Sequence, residues 1–396
     1  MSIKLKGSTD GSVTLQAPAD TSPTGTDKTF TLPTQDGDAG QILKTDGSGV
    51  LSFTDNLSSG RNRIINGDMR IDQRNDGASV TVNSGTSTFG VDRWKGQASG
   101  GGVYTQQRSS IAPAGFSNST LLTVTTADSS IAASDYYIWG QAVEGFNAAD
   151  FAWGTADAKT LTLSFWVRAS VTGTYALFLG NNADNRSIVY TYTISAANTW
   201  EQKSIAISGD TSGTWATDNS IGIGLWFTLG AGSNFNATAG VWNSTLEMNT
   251  NGSANWIATN GATFYITGVQ LEVGSVATPF ERRNYGDELQ KCKRYYQNAG
   301  STHYGAVEGT DRFRLQIPLY PHMRAAPTCT VRTGKKFNTR YAGDTTITTP
   351  TIADLTSSPQ NIWTGVTSSG LTAGTPIYGR SQQGADGDFL SVNAEL

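Results

Sequence analysis

The chain has few of the residues that most enzyme chemistry needs. Only two of its 396 residues are histidine and only two are cysteine. Cys292 and Cys329 have no C-x-x-C spacing and no neighbouring histidine, which excludes a disulfide framework and a zinc ligand set. One disulfide between them stays open, against two free thiols in a protein assembled in a cytoplasm. His303 and His322 belong to no H-E-x-x-H pattern, and no G-x-S-x-G or P-loop occurs. They read as surface or packing residues. Charge is scarce too: 15% of residues, 28 basic against 32 acidic, for a net of −4. That is no footprint for nucleic acid. The basic runs ERR (281–283), KCKR (291–294) and RTGKK (332–336) are short and read as solvated surface. No apolar run approaches the ~18 residues of a membrane helix, and MSIKLKGSTDG has no signal-peptide core. The expectation is no membrane insertion and no export by a cleaved signal. An extracellular destination would need another route, such as lysis.

What the chain does have is glycine (45 residues), much Ser, Thr and Asn, and 10% aromatics within a hydrophobic fraction of 37%. Such a composition favours many short strands joined by tight turns, and so an all-β fold. Residues 1–57 form a distinct leader: IKLKG, SVTLQAP, KTFTLP, then QILKTDGSGVLSFTD around a DGSG turn. Its apolar residues are sparse and singly spaced. It buries no core alone and needs partners, identical chains being the simplest.

Residues 58–280 carry nine of the ten tryptophans. Strand patterns recur at 160–170, 174–180, 187–195, 201–208, 221–230 and 262–274, separated by Gly/Asn/Asp/Ser turns. This predicts an antiparallel two-sheet sandwich, most economically a jelly roll of about eight strands. GIGLWF (222–227) lies inside a strand pattern, where its glycines admit a close backbone or a bulky ring.

Residues 281–300 read as a connecting helix. Tyr285, Leu289, Cys292 and Tyr296 form one apolar stripe, with Asp287 and Glu288 in the first turn and Lys291, Lys293 and Arg294 near the end. Such a helix either packs on its own chain or forms a short seam around a threefold axis. Residues 301–396 return to β patterns in FRLQIPLY, CTVRT, TTITTPTIAD, QNIWTG and DFLSVNAEL, predicting a smaller C-terminal β domain.

Asp135, Glu144, Asp150 and Asp157 cluster in sequence, but spacing alone does not place two carboxyls across a sugar as glycoside hydrolysis requires. The acidic or Asn-rich stretches at 36–40, 181–185 and 384–388 read as turns, not calcium loops. Aromatics are the stronger signal, since flat rings suit the C–H faces of sugars. Trp94, Trp166 and Trp226 sit in strand patterns and read as core. Trp139, Trp153, Trp215, Trp242 and Trp256 lie among Asn, Gly, Ser and Asp and read as loop residues, the candidate ligand-binding set.

Several stretches together resemble a known family. RNRIINGDMRIDQRNDG (61–77), FGVDRW (89–94) and GVQLEVGSVATPFERRNYGDELQKCKRYYQ (268–297) are similar to a module of bacteriophage tail fibres and related virion adhesins. IPLYPHMRAAPTCTV (317–331), the final NAEL and the leader also resemble parts of such fibres. The resemblance implies a jelly roll similar to carbohydrate-binding modules, opened by a first strand at the NGD motif and closed by the strand ending at QLEVG. It implies a homotrimeric structural virion protein, located in the tail fibre, whose leader (1–57) docks to other phage tail proteins and which binds a host-surface saccharide. It implies no cofactor and no enzyme activity, the alternatives being a polysaccharide-cutting tailspike and a purely architectural fibre. Such modules often hold calcium between an acid in the first strand and an Asp before the last. Here Asp68 stands at the first place but Thr267 at the second, which puts the site in doubt.

Overall fold

A computed structural model describes residues 2–6, 12–16, 29–34, 41–55, 60–299, 302–307, 312–331, 337–339, 345–347, 352–358, 361–367, 376–381 and 390–396. The turns expected at 36–40 and 384–388 and the basic run 332–336 lie outside them. The chain divides into two compact units, Met1–Ser59 and Gly60–Leu396.

In the first unit, β1 (Ser2–Lys6) pairs antiparallel with β2 (Ser12–Gln16), and β3 (Gln41–Thr45) with β4 (Leu51–Asp55). Asp46 closes the second turn, its Oδ1 accepting from the N–H groups of Ser48 at 2.8 Å and Val50 at 3.1 Å. Two-stranded ribbons bury little. Phe30, Leu32 and Leu43 accordingly stay 60%, 71% and 50% exposed.

The second unit is built on thirteen strands in two sheets. In chain order they are β5 (Val80–Val82), β6 (Thr86–Phe89), β7 (Lys95–Ala98), β8 (Val103–Ser109), β9 (Ser119–Thr126), β10 (Tyr136–Glu144), β11 (Leu161–Ala169), β12 (Gly173–Gly180), β13 (Ser187–Ile194), β14 (Glu201–Ile207), β15 (Ile221–Ala231), β16 (Trp242–Asn243) and β17 (Thr263–Val273). One sheet runs β16-β13-β12-β15-β10-β7-β6 and the other β14-β11-β17-β9-β8-β5. From β10 to β17 the chain passes repeatedly between the sheets, giving a jelly-roll sandwich. The expectation of about eight strands undercounts because the short strands from β5 to β7 alternate weakly.

Alternation builds the core. Leu161, Leu163, Phe165 and Val167 of β11 face inward and are fully buried, opposite Leu225 and Phe227 of β15 in the same hydrophobic cluster. Burial of such side chains contributes about 1.5–3 kcal/mol each before entropy is counted. The six strand patterns read from 160 to 274 all form strands. Trp94 is core, as expected; Trp166 and Trp226 instead point outward and are half-buried. The outer face of the seven-stranded sheet is itself covered, because Phe235, Leu246 and Met248 pack on Ile138, Phe178 and Trp226.

The NGD stretch expected as a first strand forms no regular strand. It runs beside β17, with the Arg63 N–H bonded to the Leu271 carbonyl at 2.9 Å, but Asn66 (φ 57°) and Met69 (φ 58°) turn left-handed and break the extension. Side chains then replace the ladder. Asn66 Nδ2 donates to the carbonyls of Ile71 (2.8 Å) and Asp92 (3.0 Å), and its own carbonyl accepts from Trp94 Nε1 at 3.0 Å.

Helix α1 (Tyr285–Lys293) follows. Its buried stripe is Glu288, Cys292 and the following Tyr295, while Tyr285 is 53% exposed, so the apolar stripe read from sequence is displaced by one position. The cause is Glu288, which accepts from the Asn66 N–H and from Arg283 and so is drawn inward. Cys292 and Tyr295 pack on Ile65 and Ile71. Beyond it come β18 (Tyr296–Ala299), β19 (Thr302–Val307), β20 (Arg312–Pro318), β21 (Thr328–Val331), β22 (Phe337–Thr339), β23 (Thr345–Ile347), β24 (Ile352–Ser357), β25 (Asn361–Thr367), β26 (Pro376–Ser381) and β27 (Leu390–Asn393). They form a three-stranded sheet, β18-β27-β21, and a seven-stranded one, β23-β22-β26-β19-β20-β25-β24. His303 falls in β19 and its side chain is outside the described residues. Residues after β27 return to the sandwich, where Glu395 pairs with Arg74 (3.0 Å) and Arg93.

Candidate functional site

The five tryptophans read as loop residues divide three ways. Trp139 lies in β10 at the centre of the seven-stranded sheet, fully buried, stacked on Trp94 with ring centroids 4.4 Å apart and planes 3° off parallel. Its Nε1 donates to Gln106 Oε1 at 3.0 Å. Trp256 is also fully buried, edge-on to Tyr104 and Phe264. Neither sits in an exposed loop, and both are corrected to core. The polar neighbours that disguised them are themselves satisfied inside: Gln141 Oε1 accepts from the Ile65 N–H at 2.9 Å and its Nε2 donates back to the Ile65 carbonyl at 2.8 Å.

The other three converge at one end of the sandwich. Trp153 follows β10, Trp215 precedes β15 and Trp242 opens β16. They meet mutually edge-to-face: Trp153–Trp215 at 4.9 Å and 78°, Trp153–Trp242 at 5.2 Å and 82°, Trp215–Trp242 at 5.6 Å and 79°. This is the arrangement that ring quadrupoles favour. Trp153 is buried and corrected to a floor residue; Trp215 and Trp242 are half-buried. Every indole N–H is used by the protein. Trp153 donates to the Lys159 carbonyl (2.8 Å), Trp215 to Asp210 Oδ2 and the Ser212 carbonyl (both 3.2 Å), and Trp242 to the Ser208 carbonyl (3.2 Å). Asp210, 1% exposed, is gripped by Arg186 through Nε at 2.7 Å and Nη2 at 2.6 Å. That hydrogen bond raises the Arg186 pKa. The Arg186 guanidinium lies 5.7 Å from the Trp242 ring centre. Two rings are therefore held rigid by their edges, with exposure left on their faces and next to a fixed cation.

The acids fare differently. Glu144, 1% exposed, is held by Arg294 at 2.5 and 2.9 Å and by the Tyr295 hydroxyl at 2.6 Å. Asp150 pairs with Arg63 at 2.7 Å, Asp135 Oδ1 lies 3.4 Å from Ser99 Oγ, and Asp157 is exposed. Each thus has its own surroundings. Asp68 Oδ2 is 2.5 Å from Arg70 Nε, so a guanidinium stands beside the carboxylate considered for calcium. Burial still raises the Asp68 pKa above the usual carboxylate range. Among the described residues no group of three His, Cys, Asp or Glu is placed to hold a metal, and no helix is long and apolar enough to cross a membrane. Asn181 ties the 181–185 turn, its Oδ1 accepting from the N–H groups of Asn185 and Arg186. Cys292 and Cys329 are both free.

Sequence reasoning missed a second feature at the opposite end of the seven-stranded sheet. The register of β10 on β15 runs from Tyr136 opposite Ala231 to Glu144 opposite Ile221. The tryptophans gather at the Glu144 end. At the Ala231 end the loops 129–133, 232–236 and 249–255 enclose a cleft of about 360 Å³. Its Asn and Ser walls look like ordinary turns in sequence, which left no signal to find it by.

No family model matches the chain, and no curated protein matches it. Solved structures with some likeness include the enzymatically active domain of tailspike protein 4 of bacteriophage CBA120, at 13% identity, TM-score 0.29, over 56% of this chain and 22% of that one. Another is a family 11 carbohydrate-binding module from Clostridium thermocellum in complex with a β-1,3-1,4-mixed-linked tetrasaccharide, at 13% identity, TM-score 0.28, over 50% of this chain and 98% of that one. A third is the CBM22-1 xylan-binding domain of Paenibacillus barcinonensis Xyn10C, at 11% identity, TM-score 0.23, over 52% and 99%. Scores this low transfer neither ligand nor activity to this chain.

Proposed function

We propose that the protein is a non-enzymatic virion adhesin, a bacteriophage tail-fibre component that binds a host cell-surface glycan. The observation that carries the binding part is the tryptophan end of the sandwich. Trp215 and Trp242 offer half-exposed rings whose edges are fixed by Asp210, Ser212 and Ser208. Fixed rings lose little entropy when a sugar's C–H face stacks on them. The tail-fibre part is supported by the resemblance at 61–94 and 268–297, stretches that the structure brings together where Glu288 meets Asn66. Homotrimerisation is supported by the first unit, which leaves Phe30, Leu32 and Leu43 exposed and gains by covering them with copies of itself. Residues 1–57 would join other tail proteins. Several copies on one particle would multiply weak single-site affinity.

The test is adsorption competition. Purified protein blocks phage adsorption to host cells, and Trp215→Ala with Trp242→Ala abolishes the block while the protein stays folded. An unchanged block by the double variant, or new reducing ends released from host polysaccharide, would refute this reading.

A further inference from the structure

The cleft at the Ala231 end is walled by neutral polar groups. Ser129, Ser130, Ser233, Asn236, Asn249 and Asn255 line it, and no charged side chain does. The walls are tied to each other through backbone. The Gly232 N–H donates to the Asp135 carbonyl at 2.8 Å, Asn234 to Ala133 at 3.0 Å, and Ala237 to Asn249 at 2.9 Å. A β-carbon on Gly232 would stand 2.0 Å from the Ala132 carbonyl oxygen, so the two loops meet as closely as bare backbone permits. The cleft is therefore built into the fold and needs no ligand to form.

Two acceptors at this cleft lack partners. Asn249 is 8% exposed, and Asn255 is half-buried. Their Nδ2 groups face the carbonyls of Ala231 and Asp128, each at 3.4 Å, which orients the amides and leaves each Oδ1 on the other side. Neither Oδ1 accepts a hydrogen bond from the protein, though both are buried. Buried unpaired acceptors cost stability and call for a donor. A cation would supply charge where no carboxylate waits to balance it, and an anion would add acceptors where acceptors are already unpaired. A hydroxyl supplies a neutral donor. Ile131 adds an apolar surface to the same wall.

We infer that this cleft is a second binding site, for a neutral polyhydroxylated ligand of the size of a terminal sugar residue, with Asn249 and Asn255 accepting from its hydroxyl groups. Its volume lies at the small end of ligand pockets, which suits a short sugar end and not a long polymer threaded across a sheet. The inference does not depend on the tryptophan end binding anything, since the two sites sit at opposite ends of β10 and β15.

The experiment is saturation-transfer difference NMR on the full chain with D-glucose, D-galactose, D-mannose and N-acetylglucosamine, and with methylphosphonate as a charged comparison. At least one sugar gives signals that fall to background in Ser130→Trp and in Ser233→Trp, two exposed positions from which an indole fills the cleft from different walls. Those signals persist in Trp215→Ala and Trp242→Ala. If no sugar gives a signal that either plug removes, or if methylphosphonate gives one of equal plug sensitivity, the inference is overturned. Loss of signal in the Trp215 and Trp242 variants alone would overturn it too, while leaving the adhesin reading standing.

Discussion

Arg294, at the end of the helix, holds Glu144, at the end of the central strand β10, through both carboxylate oxygens at 2.5 and 2.9 Å. The two residues are 150 positions apart. Glu144 is 1% exposed and Arg294 34%. The pair is the clamp between the sandwich and everything that follows it. Removing Arg294 leaves a buried carboxylate with only the Tyr295 hydroxyl beside it. Arg294→Ala is expected to cost about 3 kcal/mol in denaturant unfolding. Glu144→Gln costs less, because the freed guanidinium can turn to water. Equal losses in the two would contradict the asymmetry.

Core and surface tryptophans should separate in a stability assay. Trp139→Ala and Trp256→Ala remove fully buried rings and are expected to cost about 3–5 kcal/mol. Trp215→Ala and Trp242→Ala remove half-buried rings and should cost clearly less, with glycan binding lost. Thermal melts of the four variants check the order.

Asp92 gives the pH prediction. Burial pushes its pKa up from 3.8 to about 6, despite Arg74 nearby and hydrogen bonds from Gln73. A raised acid pKa means that the folded state holds the proton more tightly than the unfolded one. The ionised group therefore destabilises the fold, by an amount that grows from about pH 4 to about pH 6 and is complete above. Asp92→Asn should remove a decrement on the order of 2–3 kcal/mol at pH 7 and little at pH 4. A stability difference between variant and parent that does not change across that window would refute this.

The first unit predicts its own partner. Sedimentation of the full chain should report a trimer, and Leu32→Asp with Leu43→Asp should shift it toward smaller species without unfolding Gly60–Leu396. A monomeric parent would remove the need for identical chains.

The strands from 161 to 273 were legible because each has one face in the core, so polar and apolar residues alternate. β10 was not, because both its faces are covered: Trp139 and Val143 by the other sheet, Ile138 by Phe235 and Met248, Glu144 by Arg294. With Gly140, Gln141 and Glu144 all buried, the strand reads like a polar loop. Gly140 is needed there, since a β-carbon would stand 2.1 Å from the Leu225 carbonyl oxygen. The convergence of Trp153, Trp215 and Trp242 was invisible for another reason: contacts between residues 62 and 27 positions apart leave no local pattern. The helix was found, but its buried face was misjudged because a glutamate was assumed to face water.

The central claim is that Trp215 and Trp242 form the glycan platform of a folded sandwich. Calorimetric titration of host surface polysaccharide into the full chain, parent and Trp215→Ala/Trp242→Ala side by side, tests it most directly. The claim predicts binding by the parent and at least a tenfold loss in the variant, with both unfolding at similar temperatures. Undiminished binding by the variant would contradict it.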